Sequence, residues 1–131
     1  MASRQTLCSH PRPMLSGTQP AHPPPDAEGF DCEIVRERDA GRIRISGALD
    51  LATVPILEAE LTALRQAGFR RLILDLRGLG FMDSTGLRCI LVRDAEARQD
   101  GFSFALVAGP RAVQRVFELT GTAARLTFVD A

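Results

Sequence analysis

Between Leu72 and Gly101 the hydrophobic period changes from that of a strand to that of a helix within a few residues, which restricts the chain to folds that turn a buried strand directly into a helix. Leu72, Ile73, Leu74, Asp75 and Leu76 form an apolar run too short for a helix and closed by Gly78 and Gly80, so it reads as a strand. Leu87, Ile90 and Leu91 then recur at helical spacing, and the boundary at Phe81 to Ser84 puts Ser84 at the N-terminus of a helix running to about Gln99. Unpaired backbone N–H groups and the positive end of the helix dipole favour negative charge there, so a serine at that place can carry a phosphate at low cost. It can equally be a cap, the commonest use of Ser or Thr at a helix start. This stretch alone leaves both readings open.

The rest of the chain narrows the choice. With 131 residues and 45% hydrophobic content, it is one domain with a real core. Sixteen basic and sixteen acidic residues cancel, so no electrostatic footprint for nucleic acid or an anionic membrane stands out, and the expected partner is a protein. No apolar run approaches a membrane span or a secretory signal, which makes the cytoplasm the expected location. Six of the eight prolines fall before residue 29, in a segment with few large apolar residues and no periodicity. Residues 1–28 therefore read as a disordered Pro-rich arm and 29–131 as the folded domain. Cys8, Cys32 and Cys89 form neither an even set nor a Cys-x-x-Cys, so Cys32 and Cys89 read as reduced, small apolar residues.

Phe30, Cys32 and Ile34 alternate, and after a turn at Asp39 to Gly41, Ile43 and Ile45 repeat the alternation, as in a hairpin. Gly47 is expected to end the second strand, with Ala48, Leu49 and Asp50 connecting to a helix capped by Thr53, lined by Val54, Leu57, Leu61 and Leu64, and stopped by Gly68. Beyond Gly101 come a strand at 102–107, a helix after Pro110 that stops at Gly121, and a strand at 126–129. The order β, β, α, β, α, β, α, β predicts an α/β domain with crossover helices. Its sheet is mixed and mostly parallel, with an antiparallel first strand at the edge.

The absences exclude most catalysis. His10 and His22 lie in the arm, and the chain has no lysine, tyrosine, tryptophan or asparagine. A Ser-His-Asp triad, a P-loop lysine and an ordinary zinc site cannot be assembled in the folded part, so no catalytic residue, metal or cofactor is predicted. Gly78, Gly80 and Asp83 only approach a Gly-x-Gly-x-x-Gly loop. A receiver module phosphorylated on Asp75 or Asp83 would want a lysine late in the chain.

Gly47-Ala48-Leu49-Asp50 before a helix, Leu74-Asp75-Leu76 in a strand, Phe81-Met82-Asp83-Ser84-Thr85-Gly86-Leu87 at a helix start, and Pro110 with Val113 to Gly121 together resemble a STAS domain. Among STAS domains the chain is most similar to bacterial anti-sigma factor antagonists, over residues 30–131. The resemblance implies partner switching. The unphosphorylated antagonist binds an anti-sigma factor that is also a serine kinase, the kinase phosphorylates it and so releases it, and a serine phosphatase resets the cycle. Matched residue by residue, the phosphoacceptor is Ser84, with Asp83 and Thr85 beside it and Asp50 nearby in the preceding connection. On a helical projection Arg88 and Val92 follow Ser84 away from the apolar face, extending a docking surface for the partner. The chain departs from the family pattern at Ala48, where glutamate is usual, and at Arg88, where glycine is usual. The alternative is a STAS scaffold or ligand-sensing module in a larger signalling assembly.

Overall fold

The structure is a computed structural model that describes the backbone of Ser3–Thr6 and residues 29–131 in full. The elements run β1 (Ser3–Thr6), β2 (Asp31–Arg36), β3 (Ala40–Leu49), α1 (Val54–Gln66), β4 (Arg71–Met82), α2 (Ser84–Asp100), β5 (Ser103–Val107), α3 (Arg111–Thr120) and β6 (Phe128–Val129), with a 3-10 turn at Ala123–Arg125 before the last strand. The strands form one sheet in the order β1-β2-β3-β4-β5-β6. Pairing is antiparallel between β1 and β2 and between β2 and β3, and parallel from β3 to β6. The mixed α/β sheet that the sequence predicts is present, with its first predicted strand antiparallel to the next. That strand is not the edge, however: β1, drawn from the segment read as an arm, pairs Ser3 with Arg36 and Thr6 with Glu33. The remainder of that segment, with Cys8, His10 and His22, lies outside the described residues.

Alternation along the strands sends one set of side chains to a single core. Cys32, Ile34, Ile43, Ile45, Leu72, Leu74, Leu76, Phe104 and Leu106 face Leu57, Leu61, Leu64, Leu87, Ile90, Val113 and Phe117 from the three helices. Each such side chain, fully buried, contributes about 1.5–3 kcal/mol relative to exposure. The other face of the sheet carries a small cluster of Ala40, Ile73 and Val107 beside a set of charges centred on Asp75.

Two strand ends differ from expectation. β3 continues through Gly47 to Leu49, and β4 continues through Gly78 and Gly80 to Met82. Backbone pairing sets these lengths, and local turn propensity loses to it. Between Arg44 and Ser46, and again between Gly47 and Ala48, the register slips so that β4 gains a residue each time. Each slip moves the inward positions of β4 on by one residue while their partners in β3 keep alternating: the buried positions run Leu72, Leu74 and Leu76, then Leu79, then Met82. Gly47 sits at φ +94°, and a Cβ there would lie 2.7 Å from the Gly29 carbonyl oxygen.

Candidate functional site

Ser84 lies where β4 passes into α2, at the C-terminal end of the parallel strands. Asp83, in extended conformation, is the N-cap, and its carboxylate oxygen accepts from the Gly86 N–H at 3.0 Å. Ser84 is therefore the first helical residue, exposed, and no hydrogen bond among the described residues holds its hydroxyl. The competition between capping and a free hydroxyl is resolved by the neighbouring residue, because an aspartate at the boundary reaches the N–H groups that a serine would otherwise take.

The β3–α1 connection is bound to this helix start. The Asp83 N–H donates to the Leu49 carbonyl at 3.2 Å. At Gly86 a Cβ would sit 2.6 Å from that same oxygen and 2.9 Å from Met82 Cγ, so only glycine allows the approach. Asp50 follows Leu49, so Asp50, Asp83, Ser84 and Thr85 belong to one end of the domain. The side chain of Asp50 is engaged in its own loop: Oδ1 accepts from the N–H groups of Ala52 at 3.0 Å and Thr53 at 3.2 Å. Thr53 does not cap α1 as predicted; its buried hydroxyl donates to the Ala48 carbonyl at 2.7 Å and accepts from the Asp50 N–H at 2.9 Å. Arg88 and Val92 are exposed along α2 at successive four-residue steps from Ser84, and no carboxylate among the described residues pairs with Arg88.

Leu51 and Phe81 are both apolar and exposed at this end. Phe81 escapes simple alternation because of the second register slip. Leu51 stands directly after Asp50, and nothing local in the sequence signals its exposure.

Asp75, the other acidic candidate for phosphorylation, is closed off. Its carboxylate is 1% exposed and sits 2.7 Å from Arg77 Nη2, with Arg44 and Arg42 at 3.8 Å and 3.9 Å. Burial pushes its pKa up, but hydrogen bonds from the Arg77 side chain and backbone, with the charges of Arg77 and Arg44, outweigh this and hold it below the ordinary carboxylate value. Cys32 and Cys89 are buried and free, and burial together with the nearby Glu58 carboxylate pushes the Cys89 thiol up to about 12. Among the described residues no helix is long and apolar enough to cross a membrane. A cleft of about 290 Å³ lies between α1 and α2 at the far end of the strands from Ser84, bounded by Leu61, Arg65, Leu72, Phe102 and Phe104.

Comparison with known proteins agrees with this arrangement. The family model described as Mlab, STAS domain matches residues 32–129. The anti-sigma-B factor antagonist of Staphylococcus aureus is 34% identical over 79 residues, covering 60% of this chain and 73% of that protein. The unphosphorylated form of the anti-sigma factor antagonist SpoIIAA superposes with a TM-score of 0.63 at 29% identity, covering 78% of this chain and 87% of that one. The phosphorylated form of the Bacillus cell fate determinant SpoIIAA gives 0.59 at 28% identity, with coverage of 78% and 90%. With its helix-start motif, its sheet order and these likenesses together, the chain belongs to the STAS domain family, alongside the bacterial anti-sigma factor antagonists.

Proposed function

We propose that this protein antagonises an anti-sigma factor that is also a serine kinase, and that phosphorylation of Ser84 by that kinase ends the interaction. The observation that carries the proposal is the division of labour at the helix start: Asp83 caps, and the Ser84 hydroxyl stands exposed, with no hydrogen bond among the described residues. The relatives' description as anti-sigma factor antagonists, and the existence of one of them in a phosphorylated form, support it. A phosphate adds roughly 1.5 to 2 negative charges, which the N-terminus of α2 tolerates but a closely packed interface does not. The protein thus acts by binding and not by turnover, in the cytoplasm, and a serine phosphatase returns it to the binding form. Asp50, Asp83, Thr85, Arg88 and Val92 surround the contact.

Affinity capture with wild type, Ser84→Ala and Ser84→Asp tests this. Wild type and Ser84→Ala should retain an ATP-binding anti-sigma factor and Ser84→Asp should lose it, and wild type incubated with that factor and ATP should gain one phosphate on Ser84. Retention of the same partner by all three would remove Ser84 from the switch. The ligand-sensing alternative would use the cleft between α1 and α2, at the end remote from the exposed hydroxyl.

A further inference from the structure

Four large apolar side chains are exposed among the described residues: Leu51 (75%), Phe81 (54%), Val92 (42%) and Leu119 (75%). Leu51 and Phe81 belong to the segments that meet at the start of α2, and Val92 lies two four-residue steps beyond Ser84, whereas Leu119 stands at the C-terminal end of α3. On the reading of Ser84 as a partner-controlled switch, we propose that Leu51 and Phe81 are the specificity-determining contacts, an apolar pair seated in an apolar cleft of the anti-sigma factor. Thr53 is the positioning residue that holds Leu51 in place for it.

The loop that displays Leu51 is built to be rigid. Thr53 is 0% exposed, and its hydroxyl ties the Ala48 carbonyl to the Asp50 N–H, while Asp50 Oδ1 holds the N–H groups on the far side of Leu51. A loop fixed in this way loses little backbone freedom when Leu51 is bound. Phe81 is held outward by the second register slip, which places it beside Ala48 in β3. Two apolar anchors beside a polar centre have the anatomy of an interface hot spot, in which desolvated apolar contacts carry most of the affinity. A phosphate on Ser84, at the same end of the domain, would have to give up its water to let the anchors seat, so the apolar residues also make the added charge decisive. The occupant is the anti-sigma factor and not a second copy of this chain, because self-association on this patch would cover Ser84 in both molecules and exclude the kinase.

The test measures affinity for the purified anti-sigma factor that wild type captures, alongside melting temperature. Leu51→Ser and Phe81→Ser should each weaken binding by roughly tenfold or more with little change in melting, and Leu119→Ser, equally exposed, should bind as wild type. Thr53→Ser keeps the hydroxyl and should bind within about twofold of wild type, whereas Thr53→Val should lose affinity together with slow hydrogen exchange at the Ala52 amide. If Leu51→Ser and Phe81→Ser bind as wild type while Ser84→Asp does not, the apolar pair is overturned and the switch stands. An equal loss in Leu119→Ser also overturns it. If Ser84→Asp binds as wild type, the switch itself fails and the proposal falls with it.

Discussion

The Asp83 N–H donates to the Leu49 carbonyl at 3.2 Å, so the end of β3 and the first turn of α2 are one structural unit, and that unit carries Ser84. Its tolerance is set by Gly86, whose α-carbon faces the same carbonyl. Gly86→Ala would gain about 1 kcal/mol of helix propensity but places a methyl group 2.6 Å from the Leu49 oxygen, where backbone must shift. Overpacking of this kind costs about 1–3 kcal/mol, so a net loss of stability is expected in urea unfolding, with slower phosphorylation of Ser84 by the kinase.

Because Asp83 and not Ser84 is the cap, the two residues should separate cleanly in stability measurements. Asp83→Ala is expected to cost about 1 kcal/mol, while Ser84→Ala leaves the unfolding midpoint within a few tenths of a kcal/mol of wild type. A larger loss in Ser84→Ala would return the capping role to the serine.

Asp75 makes a pH prediction. Its pKa in the folded protein lies below the ordinary 3.8, so the ion pair with Arg77 adds stability that is fully present above that value. It is lost as pH falls through the lower folded value, because the unfolded chain takes up the proton first. Wild type should therefore lose more stability than Asp75→Asn as pH falls from about 4 towards 2, and the two should run parallel above pH 5, as judged by urea midpoints across that range.

Arg88 stands one helical turn beyond Ser84, in reach of a phosphate at the i, i+4 spacing. Surface ion pairs are worth about 0–1 kcal/mol, so the expected effect is small but specific. Arg88→Gln should lower the melting temperature of the phosphorylated protein more than that of the unphosphorylated one, by a difference that shrinks in high salt. Equal losses in both forms would exclude the pair.

Much of this was legible in the sequence, and the exceptions share a cause. The helix faces of Leu57, Leu61 and Leu64 and of Val113 and Phe117 follow from periodicity, because each helix buries one stripe on one sheet. Ser84 is found by the change of period at the β4–α2 junction. What periodicity misses is decided by partners distant in sequence. Gly47, Gly78 and Gly80 read as strand ends because their local preference is for turns, yet Gly47 and Gly78 pair across β3 and β4 and Gly80 is the extra residue of the second slip. Asp83 takes the cap from Ser84 by a contest one residue wide, and Thr53 turns from cap to loop brace because the Ala48 carbonyl lies within its reach.

The two register slips in β4 act as slack in the strand that leads to Ser84. Each lets β4 carry one residue more than β3 without losing phase, so Leu79 beside Gly47 and Met82 beside Leu49 stay on the inward face of Ile43 and Leu74. A chain that lost one residue between 77 and 81 would shed one slip and still bring Met82 to the core, so the helix start would keep its orientation. Single-residue length changes in this segment are therefore absorbed within the strand and leave Ser84 at the same end of the sheet.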